Sequence, residues 1–255
     1  MAKSKNWTRE QTIVAFNVYC KIPFKNSSKT HPMIIKYANI IGRSPSALNM
    51  KVGNFGRLDP ELQKRGITGL ANGSKLDEVI WDEFHGNWDD LAYESEKLIS
   101  QFQNKTIIET NEIDLTDFPE GKDVERLVKT RVNQNFFRSS VLSSYYQKCC
   151  ITGINISEFL VASHIIPWRV NKDERMNPRN GLCLNSIHDQ AFDKGFLTIT
   201  SDYEIRISDA IFEHKKNESI SDFFLKYNKQ KISLPDKFLP SQEFLKYHSD
   251  NIFRK

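Results

Sequence analysis

The sequence predicts an α+β protein in two parts. A helical N-terminal part with a helix-turn-helix-like corner is followed by a C-terminal part of short strands around a short helix. Three observations predict it. Apolar residues recur at helical spacing through the first hundred residues. Pro119 and Gly121 then punctuate a polar stretch. Beyond it come short apolar runs and two alternating segments, FLTIT and YEIRIS, separated by a Ser-Asp turn.

The elements follow in order. Thr8 precedes REQTIVAFNVYCKI, where Ile13, Val14, Phe16, Val18 and Tyr19 cluster at helical spacing, and its hydroxyl suits a helix start. Pro23 closes this helix. Ile34, Ile35, Ala38 and Ile41 form one face of the next helix, which Gly42 breaks. Ser44 and Pro45 give the third helix a cap and a first-turn proline, with Ala47, Leu48 and Val52 on its inner face. Helix, tight turn, helix is the pattern of a DNA reader, and also of any two-helix corner. As a reader it would offer Ser46, Asn49 and Lys51, with Arg43 just before them. DEVIWDEF and DDLAYESEKLISQF predict two more helices. KTIIETNEIDLTDFPEG reads as a linker with a short strand. The predicted division is a helical DNA-recognition domain at 1–105, a linker at 106–128 and a second domain at 129–255.

In that second domain, DVERLVKTRVNQNFFRSSVLSSYYQK reads as a helix with Arg131 and Arg138 off its apolar stripe. The runs around ITG and FLVASHII fit short strands. LNSIHDQAF fits a helix of two to three turns, capped by Asn185 and ended by Gly195. The tail is helical in part.

Composition narrows the function. The 255 residues are 39% hydrophobic and 27% charged, ordinary for a globular protein. No run approaches the roughly 20 apolar residues of a membrane span. MAKSKNWTREQ lacks the apolar core of an export signal, and four cysteines are too few for a disulfide scaffold, so a cytoplasmic, reduced protein without a membrane partner is expected. The net charge of +4 is unevenly spread. Residues 1–60 carry ten Lys/Arg against two Asp/Glu, residues 61–125 six against sixteen, and residues 126–182 nine against three. Basic blocks suit a polyanion. The acidic block reads as a solvated face.

Three residues carry the candidate chemistry: His164 ending an apolar run, Asn180 in a loop and His188 in a helix, flanked by Arg169, Arg175 and Arg179. An imidazole serves as a neutral base or a metal ligand near pH 7, and arginines suit phosphate. CCITG, ASHIIPW, RMNPRNGLCLN and HDQAFDKGFLTI, in this order, resemble an HNH endonuclease domain, the ββα-metal nuclease fold. RVNQNFFRSSVLSSYYQKCCITG resembles the helix leading into that domain in bacterial proteins of restriction-endonuclease type. WTREQ…YCKIPF and GRSPSALNMKVGNFGRLDP resemble the region upstream of it.

The resemblance implies a metal-dependent endonuclease acting on double-stranded DNA and leaving 3′-hydroxyl and 5′-phosphate ends. His164 is then the general base, Asn180 the residue that steadies the loop aiming it, and His188 a ligand of one divalent cation. Magnesium is expected from cellular supply, while imidazole ligation also accepts manganese, nickel or zinc. Ser163 stands where relatives carry an acid or a second histidine, and a serine hydroxyl is a feeble ligand. Asp193, where the helix ends, is the favoured replacement, though it could be a turn residue. Asp189, adjacent to His188, would point off another helical face. Two CxxC pairs are missing, so Cys149, Cys150 and Cys183 are expected in the core rather than on zinc. One domain cuts one strand, so a homodimer is expected if the protein is a restriction enzyme and a monomer if it nicks; a companion methyltransferase is a candidate partner. The rivals are a DNA-binding regulator with a degenerate nuclease fold and a toxin nuclease without sequence preference.

Overall fold

Helix α1 (Arg9–Lys21) starts where Thr8 accepts from Gln11 N and the Gln11 side chain accepts from Thr8 N, a reciprocal cap. Such local chemistry sets most helix starts of a computed structural model that describes residues 6–67, 73–114 and 122–255. Packing divides the chain into two compact units, 1–140 and 141–255.

In the first unit, α2 (Pro32–Ile40) and α3 (Pro45–Leu58) are joined by a turn with Gly42 at φ +70°, where Arg43 N donates to Ala38 O at 2.8 Å. Ser44 accepts from Ala47 N at the start of α3. A short α4 (Pro60–Lys64) precedes α5 (Lys75–Phe84) and α6 (Trp88–Phe102). Phe16 is the centre of the core. Its ring stacks on Phe55 at 4.6 Å and lies 5.1 Å from Trp81. Each fully buried side chain of this size contributes about 1.5–3 kcal/mol. In the described part of the expected linker the element is one helical turn, α7 (Ile107–Thr110), because Thr106 and Glu109 form a capping box. Pro119 and Gly121 lie outside the described residues.

The acidic block is not simply a solvated face. Lys21 pairs with Glu96 at 2.6 Å, Lys51 with Asp77, Arg9 with Glu83 and Arg57 with Glu78. Four cations of the first basic block are therefore matched to acids of the next, two of these pairs away from water. This packing engages three of the residues predicted to contact DNA, two on α3 and Arg43 in the turn before it. Lys51 is 4% exposed, held by Asp77 and covered by the Trp7 ring. The Arg43 guanidinium donates to Gln11 and Asn6 and lies 4.9 Å over Trp7. Asn49 accepts from Ser27 Oγ at 2.6 Å. Ser46 is exposed.

Helix α8 (Lys122–Ser144) ends in the second unit. There β1 (Leu160–His164) pairs antiparallel with β2 (Gly181–Asn185), placing His164 opposite Gly181. The ITG run is a turn rather than a strand, with Gly153 at φ +76°. Asn185 caps α9 (Ser186–Asp193), accepting from Ile187 N and His188 N. A second hairpin, β3 (Leu197–Ile199) and β4 (Ile205–Ile207), forms from the two predicted alternating segments. Short helices α10 (Asp209–Phe212) and α11 (Glu218–Phe223) follow, then α12 (Gln242–Asn251). His248 of α12 stacks on Phe192 at 3.6 Å and bonds Thr198 of β3 at 2.8 Å. Cys149, Cys150 and Cys183 are buried and unoxidised, and burial pushes the Cys150 thiol well up. Among the described residues no helix is long and apolar enough to cross a membrane.

Candidate active site

The β1–β2 hairpin carries the site. β1 ends at His164, and the chain returns to β2 through a long loop that needs internal stitching. Asn180 supplies it. Its Oδ1 accepts from Ile166 N at 2.8 Å, and its Nδ2 donates to the carbonyls of Ile166 and Glu174, both at 3.2 Å. Its own carbonyl accepts from Ile165 N at 2.9 Å. The amide thus ties both ends of the loop to the residues just after His164.

The His164 ring is fixed by Nε2 against the Arg175 carbonyl at 2.9 Å and by Trp168, edge-on at 5.5 Å. Burial pulls its pKa below the ordinary histidine value. The Arg175 carbonyl bond works against this, and the Arg175 charge adds to it. The ring is therefore neutral at pH 7. With Nε2–H donating to the carbonyl, its lone pair lies on Nδ1.

His164 lines a cavity of about 440 Å³ together with Ser163, Trp168, Arg169, Asp189 and Asp193. The two aspartates are four residues apart on α9, so they share one helical face. Burial, and after it the neighbouring Asp189 charge, together raise Asp193 to about 6. Burial also raises Asp189, while the Ser163 hydroxyl draws it back. The Ser163 Oγ is buried and faces Asp189. A second cavity, about 480 Å³ beside β4, holds no histidine.

A family model described as HNH endonuclease matches residues 149–200. Residues 149–200 are an HNH endonuclease domain. No curated protein matches the chain. HNH nucleases generally use a divalent metal. Among the described residues no group of three or more His, Cys, Asp and Glu side chains is close enough to hold one. The donors present still fit a hard cation. Two carboxylates that repel each other, with the buried Ser163 hydroxyl beside Asp189, offer oxygen ligands. Magnesium is commonly held by one or two carboxylates with water and phosphate filling the rest.

The HNH domain differs from the sequence expectation at its third motif position. His188 is not placed to bind metal. Its ring is 0% exposed, with Nδ1 at 3.0 Å from Asn185 Oδ1 and Nε2 at 2.7 Å from the Phe223 carbonyl. Both nitrogens are occupied, and the ring packs against Phe224 and Tyr227. It anchors α9 instead. Asp189, expected on another face, shares the cavity with Asp193. The signal was the four-residue spacing, which outweighs adjacency to His188. Arg179 is not among the residues lining the cavity, and its Nε donates to the Leu239 carbonyl at 3.2 Å. Arg175 Nε donates to Trp168 O at 2.6 Å and its guanidinium lies over that ring, so it folds the loop. Arg169 is exposed at the cavity rim.

Proposed function

We propose that this protein is a metal-dependent endodeoxyribonuclease hydrolysing phosphodiester bonds of double-stranded DNA, in restriction or defence. The carrying observation is one cavity holding a neutral, backbone-anchored histidine and two carboxylates from one helix face. In this reading the helical part selects DNA and the part from residue 129 cuts it.

His164 acts as general base. Its Nδ1 takes a proton from water as the oxygen attacks phosphorus. A new P–O bond forms while the bond to the 3′ oxygen breaks, and solvent protonates the leaving oxygen. The products are 3′-hydroxyl and 5′-phosphate ends. Asp189 and Asp193, with Ser163 beside them, would hold one divalent cation, magnesium or manganese. When bound, it stabilises the negative charge growing on the phosphoryl and leaving oxygens. Without His188 in the ligand set, the case for nickel or zinc falls away. Arg169 supplies a cation at the rim for the scissile phosphate. Asn180 is a positioning residue acting through the loop. One site cuts one strand, so a double-strand break calls for a second copy. A companion methyltransferase goes with the restriction reading.

The test is supercoiled plasmid incubated with the protein and Mg2+ or Mn2+. Nicked and then linear DNA is expected, with none in chelator. His164→Ala should stop cleavage and leave DNA binding intact. Plasmid that stays supercoiled with every metal would move the chain to a DNA-binding regulator, the reading that Ser163 favours.

A further inference from the structure

In the first basic block four cations are matched to acids and Arg43 is folded inward, so the predicted contacts Arg43 and Lys51 are engaged within the protein. The block beginning at residue 126 places cations on an exposed helix face. In α8, Arg131, Gln134, Asn135 and Arg138 are all exposed, while Val132, Asn133, Phe136 and Phe137 are buried. Positions three, four and seven apart lie on one helical face. The face is therefore a two-turn stripe that carries two arginines, two carboxamides and no acid. Arg131 and Arg138 stand about 10.5 Å apart along the axis. Arg131 donates to Gln134 at 3.4 Å, a loose contact that leaves guanidinium donors over.

Arginine is the side chain best suited to phosphate and to guanine edges, and asparagine and glutamine are those suited to adenine. A solvated face needs none of this selection. We propose that this face of α8 is a duplex-DNA contact surface of the protein, with Arg131 and Arg138 on backbone phosphates and Gln134 and Asn135 toward base edges. The proposal rests on the nuclease reading and names the substrate surface that the corrected α3 residues do not supply.

The test uses the full chain in EDTA, so that nothing is cut, and a fluorescein-labelled duplex of random sequence read by anisotropy from 50 to 300 mM salt (about that range suffices). Arg131→Ala/Arg138→Ala should weaken binding about tenfold or more at low salt and flatten the salt slope by about 2, since each lost phosphate contact removes close to one unit. Lys215→Ala/Lys216→Ala removes the same charge at exposed positions elsewhere and is the control. Circular dichroism checks that both variants fold. Asn135→Ala should leave the slope unchanged and reduce discrimination in competition between duplexes of different sequence. An Arg131/Arg138 variant with the wild-type slope, or the control's slope, overturns the surface while leaving the nuclease reading intact. A wild-type protein that neither binds nor cuts DNA overturns both.

Discussion

Replacing Asn180 by alanine removes a carboxamide that holds three backbone groups of the loop after His164. The Ile166 N–H loses its acceptor, and the Ile166 and Glu174 carbonyls each lose a donor. Asn180 is 1% exposed, so water does not replace these bonds without opening the loop. An orphaned buried N–H costs about 1–3 kcal/mol, and carbonyls with a second lone pair less, so the loss comes to about 3 kcal/mol. The side-chain bonds also bear on where the His164 ring sits, because the Arg175 carbonyl that grips Nε2 directly follows Glu174, whose carbonyl the Asn180 amide holds; the main-chain bond from Ile165 N to Asn180 O is kept in the variant. Displacing a catalytic group by about 1 Å costs on the order of 10²-fold in rate. Urea denaturation and single-turnover cleavage measure the two effects separately. Asn180→Asp keeps an acceptor for Ile166 N but sets a carboxylate against two carbonyl oxygens, and should be no better than alanine. An alanine variant with wild-type midpoint and rate would refute the stitching argument.

Other consequences follow from single contacts. Asp189→Asn should raise the Mg2+ concentration needed for half-maximal cleavage at least about tenfold without lowering the melting temperature, since it relieves repulsion on Asp193; unchanged metal dependence would remove Asp189 from the ligand set. Gly195 has φ +74°, and a Cβ there would meet the Ile252 carbonyl at 2.1 Å, so Gly195→Ala should cost about 2 kcal/mol or more by thermal or chemical denaturation. His248 is buried and neutral, its pKa lowered by burial to about 4 despite its bond to the Phe192 carbonyl. A depressed histidine pKa means that stability is fully present above about pH 6.5 and is lost as pH falls toward 4, by up to about 3 kcal/mol. Denaturation at pH 7 and pH 4.5 should show a larger loss in the wild type than in His248→Gln, since His164 and His188, also lowered by burial, contribute to both.

What the sequence disclosed was mostly local. Thr8, Ser44 with Pro45 and Asn185 announce helix starts because a cap acts within three residues of itself. The HNH domain was legible for a similar reason, its short motifs lying close together in order. Distant partners were hidden. Lys51 looks like a reading residue until Asp77, on another helix, claims it. His188 looks like a ligand until the Phe223 carbonyl, thirty-five positions on, takes its second nitrogen. Asp189 was within reach of sequence reasoning, because helical geometry alone pairs it with Asp193. The β1–β2 pairing was not, since the intervening loop hides which run meets β1.

The helix bearing both carboxylates is held from behind by late parts of the chain. Arg254 N donates to the Gly195 carbonyl, the Ile252 carbonyl sits against Gly195, and His248 grips the Phe192 carbonyl. During synthesis, therefore, the motif residues emerge long before the segment that braces them. A chain broken between the two segments would display the family's signature without the contacts that seat α9.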